Sequence, residues 1–171
     1  EVATEVLARE ITEIPSIPPD AAETILSLAQ LVAAMRGVVS RDRYNGQIAF
    51  KPSAEIGTRL AKQLCGLALG IAIYRQEDQI TPEILKTLAT VARDPAPDRI
   101  EEIVKQLFVR RTEENQGLFT TSEISQWSRF PQSTISVLMQ DLDMLYIVKR
   151  GQQSNWRLNS PCVTSVKLLA S

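Results

Sequence analysis

The 171 residues are enough for one domain of ordinary size or two small ones, and an apolar content of 44% can build a real core. The balance of 19 Lys+Arg against 20 Asp+Glu leaves a net charge of −1, which excludes a chain that coats a polyanion wholesale but leaves room for a local basic patch. Histidine is absent and Cys65 and Cys162 form no CxxC, so the commonest general base, most nucleophilic triads, zinc fingers and disulfide frameworks are all removed.

Aromatic residues are scarce at 5%, while Ala and Leu are abundant, a balance that favours helices. No signal peptide is visible, and the chain opens on Glu1 rather than Met; it reads as part of a longer cytoplasmic protein whose N-terminal portion lies upstream.

Residues 1–14 carry Val2, Val6, Leu7, Ile11 and Ile14 on one side of a helical period, with acids and Arg9 opposite. Pro15, Pro18 and Pro19 break that helix, and Asp20 is placed to cap a second one reaching about Met35, apolar on most sides. Residues 36–51 change character. Gly37, Asn45 and Gly46 punctuate them, Val38, Val39, Ile48 and Phe50 suit short strand-like pieces, and Arg36, Arg41, Arg43 and Lys51 make the stretch locally basic. A solvated loop and a basic contact loop both satisfy this pattern.

The span Phe50–Tyr74 predicts a buried helix around which the chain is organised. Pro52, Ser53 and Glu55 form its entry, Ile56, Leu60, Leu64, Leu67 and Ile71 recur at helical spacing, and Cys65 reads as a small apolar filler. Gly66 and Gly70, four apart, predict a face where another backbone approaches closely. Only about eleven mostly apolar residues follow Gln63, against the roughly twenty a bilayer requires, so the helix is not a membrane span. Arg59, near its N-terminal end, is its one conspicuous exception. Thr81-Pro82-Glu83 then supplies a capping hydroxyl, a first-position proline and an acid in the first turn, opening a helix to about Arg93. Pro95 and Pro97 follow as a connector, and the domain boundary falls there: 1–97 and 98–171.

From Asp98 the pattern restarts. Ile100, Ile103, Val104, Leu107 and Phe108 define an amphipathic helix, and TEENQG a polar turn. A short helix follows with Thr121 or Ser122 as cap and Ile124 and Trp127 inward; Arg129-Phe130-Pro131 is a turn. A longer helix, Gln132 to Leu145, has Ile135, Leu138, Met139, Leu142 and Leu145 as its inner face. YIVKR and NWRLN read as the two strands of a β-ribbon around a Gly151–Asn155 tip, and residues 161–170 as a closing helix.

Short helix, tight turn, longer helix and β-hairpin behind a leading helix make the winged variant of the helix-turn-helix, and residues 99–159 resemble the DNA-binding core of MarR-like regulators. Gln132, Ser133, Thr134 and Ser136 offer donors and acceptors suited to phosphates and base edges, while Arg129, Lys149, Arg150 and Arg157 can pair with phosphates. From Arg99 onward nine basic residues face seven acidic ones, and Asp141 and Asp143 would repel a nucleic-acid backbone, so DNA binding and protein docking both stand.

Thr58–Glu83 resembles the C-terminal lid of AAA+ ATPases of the MoxR-like and minichromosome-maintenance-like branch. The resemblance is carried by Ser53 and Arg59 before GLALGIAIYRQ and then Ile80-Thr81-Pro82-Glu83; Thr58, where that family often has proline, departs from the pattern. The resemblance implies that Arg59 is a sensor-2-like arginine touching the γ-phosphate of an ATP held, with magnesium, by an N-terminal ATPase domain of the same polypeptide. A salt bridge, with Glu55 for instance, is the other reading of Arg59. The sequence holds no G-x-x-x-x-G-K-[ST], no catalytic set and no metal-ligand set, so these residues hold no cofactor by themselves.

The expectation is therefore a mainly α chain: a helical AAA+ lid-like bundle followed by a winged helix-turn-helix with a small β-hairpin. Its expected function is nucleotide sensing through Arg59 coupled to a winged helix that binds DNA or a protein, with no membrane partner. Two alternatives stay open: a transcription regulator whose helical half dimerises it, and a non-enzymatic interaction scaffold.

Overall fold

Two prolines set the start of the most buried helix. The computed structural model describes residues 13–37, 39, 42, 57–93, 98–152 and 155–170. Within them, helix α1 (Pro19–Met35) begins after Pro18, with Pro19 in the first turn, where a missing N–H costs no hydrogen bond. The sequence placed Asp20 as its cap, but the N-cap is Pro18; Asp20 lies one residue inside, where its charge still complements the helix dipole. Ala21, Ile25, Leu28, Ala29, Leu31, Val32, Ala33 and Met35 are all buried, covering more than one face. Helices α2 (Thr58–Arg75), α3 (Pro82–Arg93) and α7 (Ser160–Ala170) pack around α1.

The sequence singled out α2 as the buried centre, and the structure corrects this. Helix α2 buries one stripe, Leu64, Ala68 and Ala72, and leaves Gly66, Leu67, Gly70 and Tyr74 exposed. Its Gly and Ala residues give apolar character without side-chain area, so burying its other faces would remove little surface from water. The expected close backbone approach is also elsewhere. A Cβ at Gly66 or Gly70 would meet nothing within 4 Å, whereas one at Gly57 would come within 3.1 Å of the Gln30 Cα, where the start of α2 crosses α1. The expected helix over 1–14 lies outside the described residues up to position 12, as do the entry residues Pro52, Ser53 and Glu55 and most of the basic stretch 36–51.

Ser16 ties the segment before α1 to the α2–α3 turn. Its amide donates to the Asp78 carbonyl at 2.9 Å and its carbonyl accepts from Ile80 at 3.0 Å, a one-residue parallel bridge. At the start of α3 the Thr81 carbonyl accepts the first helical bond, from Leu85, and the Thr81 hydroxyl donates to Glu77 at 2.9 Å. The amphipathic face of α3 buries Ile84, Leu88, Ala89 and Ala92.

The remaining elements are α4 (Asp98–Val109), β1 (Phe119–Thr120), α5 (Thr121–Ser128), α6 (Gln132–Met144), β2 (Val148–Arg150), β3 (Asn155–Leu158) and α7. The sheet is antiparallel in the order β1-β3-β2; β1 is a strand that the sequence pattern did not distinguish from a helix lead-in. The protein is thus mainly helical with one small sheet. Helix α7 packs against α1, α3 and α4, so buried side chains from Ala21 to Leu169 form a single apolar cluster. The ends of α1 and α6 also meet: a Cβ on Gly37 would sit 2.6 Å from Leu145 Cδ2, so only glycine fits without displacing that side chain.

Candidate nucleic-acid interface

The C-terminal half is a series of locally encoded turns that fix three surfaces. The first follows α4. Asn115 closes the polar turn with its own amide: Oδ1 accepts from the Thr112 and Gly117 backbones and Nδ2 donates to the Arg110 carbonyl. The chain then enters β1 and is stopped at Thr120 by a capping box. The Glu123 amide donates to Thr120 Oγ1 at 3.2 Å, and the Thr120 amide donates to Glu123 Oε2 at 2.7 Å. The cap is therefore Thr120, one residue before the expected Thr121 or Ser122, because only Thr120 has an acid three positions on. The bonds from the Thr120 backbone and hydroxyl hold the Glu123 carboxyl below its ordinary value.

The second surface is the α5–α6 turn. Arg129 caps the C-terminus of α5 in the left-handed region, at φ 62°, with an exposed side chain and its amide bonded to the Ser125 carbonyl. Ser125 Oγ donates to the Phe130 carbonyl at 2.7 Å and closes the turn. The guanidinium of Arg99, from α4, lies 4.8 Å from the centre of the Phe130 ring, anchoring the turn to α4 by a cation–π contact.

Helix α6 leaves this turn with Ile135, Met139 and Leu142 buried. Gln132 and Ser133 are exposed, while Thr134 and Ser136 are half-buried. Ser133 and Thr134 line a groove of about 460 Å³ together with Arg99, Val137, Leu138 and Asp141. Arg99, Val137 and Gln140 were not singled out from the sequence. The signal for the last two was present, since Ser133, Val137 and Gln140 recur at helical spacing on the side opposite the core positions.

The β2–β3 hairpin is the third surface. Lys149 and Arg157 are direct cross-strand partners, so both side chains project from the same face, and both are exposed. Neither has a carboxylate partner among the described residues. Arg150 pairs with Trp156 and lies 5.7 Å from its ring centre, which makes it a packing residue as well as a cation. Trp156 in turn donates from Nε1 to the Thr121 hydroxyl at 3.0 Å and fixes the hairpin to the first turn of α5.

In the helical half, Arg59 stands in the first turn of α2 and is exposed, not the costly arginine on a buried helix expected from the sequence. Desolvation therefore supplies no demand for an anion there. Its other expected partner, Glu55, lies outside the described residues. Exposed in a first turn whose N-cap, Gly57, offers no side chain, the guanidinium fits phosphate oxygens. No cluster of three or more acidic, histidine or cysteine side chains able to hold a metal ion occurs among the described residues. Among them, too, no helix is long and apolar enough to cross a membrane.

No protein-family description, no curated protein and no solved structure matches this chain.

Proposed function

We propose that the segment from Asp98 onward is a winged helix that binds duplex DNA, with α6 as the helix presented to the groove and the β2–β3 hairpin as the wing. The observation that carries this reading is the Lys149–Arg157 pair. Like charges directly opposite on a two-strand ribbon are unfavourable in the isolated protein, and a polyanion removes the repulsion. Arg129 supports it: an exposed arginine holds a left-handed position that glycine would occupy at lower cost. Gln132, Ser133, Thr134 and Ser136 then supply polar contacts from the N-terminal half of α6, and Arg150 flanks them from the wing.

In this proposal the helical half is the lid of an AAA+-like ATPase. Arg59 reports the γ-phosphate of ATP held with magnesium by an N-terminal domain, and movement of the lid shifts the winged helix. The exposure of Arg59 leaves it available for that contact. The ATP supplies the anion; this chain's part is to recognise it and to transmit the change.

The test is a titration of fluorescent duplex DNA at several salt concentrations. The expected result is an affinity that falls steeply with salt, and a Lys149→Ala/Arg157→Ala variant whose log-log salt slope is smaller by about 2, one unit per lost phosphate contact. Salt-insensitive or absent binding would discard the proposal in favour of protein docking. For the lid, the polypeptide carrying its ATPase domain should change DNA affinity when ATP replaces ADP, and Arg59→Ala should abolish the change. Palindrome binding by a stable dimer, indifferent to nucleotide, would instead favour a regulator.

A further inference from the structure

We infer that the outward stripe of α6 selects A·T base pairs, with Val137 and Gln140 as the residues that discriminate. The inference rests on the duplex-binding proposal above. Ser133, Val137 and Gln140 are the exposed positions along that side of the helix, with Ser136 half-buried between them. Val137 is 42% exposed, an isopropyl group in the middle of an otherwise polar stripe. Along α6 from Gln132 to Met144 there is no Lys or Arg. The cations of the turn before it and of the hairpin lie away from the stripe, and Arg99 of α4, which lines the groove beside Ser133 and Val137, is held against the Phe130 ring.

That distribution matches the chemistry of one kind of base pair. Guanine is read through O6 and N7, both acceptors, most often by an arginine or lysine, and this stripe has neither. Thymine is the base that carries a methyl group into the major groove, and an exposed branched aliphatic side chain is its complement. Adenine presents N7 as acceptor and N6–H as donor, which the amide of a glutamine matches with one donor and one acceptor. Val137 and Gln140 are three residues apart, a rise of about 4.5 Å along a helix, between one and two base-pair steps of about 3.4 Å. Val137 on a thymine methyl and Gln140 on the adjacent adenine is the pairing we assign. The serines contribute tolerance, since a hydroxyl donates or accepts equally.

The experiment uses the full chain and duplexes of one length: an A·T-rich site selected from a random pool, a G·C-rich duplex, and the selected site with every thymine replaced by uracil, which deletes the methyl groups and keeps the pairing. The expected result is about 10-fold tighter binding to the A·T-rich site than to the G·C-rich one, and a loss of about 3- to 10-fold on the uracil duplex. Val137→Ala should erase the thymine–uracil difference, and Gln140→Ala should reduce the A·T preference; the unchanged circular dichroism of both variants guards against misfolding. Equal, salt-dependent affinity for all three duplexes overturns this inference and leaves the duplex-binding proposal standing. A uracil effect that persists in Val137→Ala overturns the assignment of Val137. Absence of binding to any duplex overturns both.

Discussion

The indole N–H of Trp156, in β3, donates to the hydroxyl of Thr121 at the start of α5 across 3.0 Å. Thirty-five residues separate the two, and the bond holds a hairpin and a helix in one orientation although neither is long enough to be stable alone. Trp156 is buried and its register partner Phe119 is buried beside it in β1.

Removing that donor while keeping an aromatic side chain should therefore be felt beyond lost area. Trp156→Phe is expected to lower unfolding free energy by about 1–3 kcal/mol in urea titrations, from smaller volume and the lost bond. Combined with Thr121→Val, the double variant should lose less than the sum of the two. Strict additivity would show that the bond carries no coupling.

Three glycines in and beside α2 should respond with opposite signs. Gly57→Ala places a methyl group against the backbone of Gln30 and is expected to cost about 1–3 kcal/mol, because a helix backbone cannot yield as a side-chain tip can. Gly66→Ala and Gly70→Ala enter open space within a helix and are each expected to stabilise by about 0.5–1 kcal/mol. Thermal unfolding of the three variants checks the signs.

Tyr146 and Arg129 hold left-handed backbone positions, at φ 60° and φ 62°. Tyr146 follows α6 with a side chain that is 78% exposed, so little packing compensates its conformation. Tyr146→Gly should stabilise by about 1 kcal/mol, the relief of the left-handed penalty less the added freedom of the unfolded chain. Arg129→Gly should do the same while weakening duplex binding. A destabilised Arg129→Gly protein would count against strain at that turn.

Lys149→Glu converts the cross-strand repulsion with Arg157 into an opposite-charge pair. Stability should rise by about 0.2–1 kcal/mol at low salt, and the gain should fade as salt screens it. Affinity for polyanions should fall sharply in the same protein. Gain and loss together in one substitution would identify the pair as a contact site rather than a structural one.

Acid should weaken the capping box. The Glu123 carboxyl is held below its ordinary 4.5 by the Thr120 backbone N–H and hydroxyl, so the unfolded chain binds its proton more readily than the folded one. Its contribution is present above the unfolded value and is lost as pH falls through the lowered folded value. Glu123→Gln should accordingly lose less stability than the parent protein between about pH 7 and about pH 3, as read from urea midpoints.

Apart from β1, the order of elements from Asp98 to Ala170 was legible because its signals are local: polar turns, a proline after Arg129, alternation in NWRL, and apolar residues every three or four positions. Even the cap that was misplaced by one residue had a local signature, since Thr120 alone stands three positions before an acid. The outward stripe of α6 was legible for the same reason, its spacing being complementary to that of Ile135, Met139 and Leu142.

What the sequence by itself determined about this protein is which segments become helix or strand and which side of each is apolar, because backbone hydrogen bonding and side-chain period act over a few residues. Tertiary packing alone decided that α1 and not α2 lies at the centre, that α7 returns to cover α1, α3 and α4, and that Lys149 stands opposite Arg157. Small residues such as those of α2 are compatible with burial and with exposure alike. Only the volumes of the neighbouring elements, brought together over long stretches of chain, choose between the two.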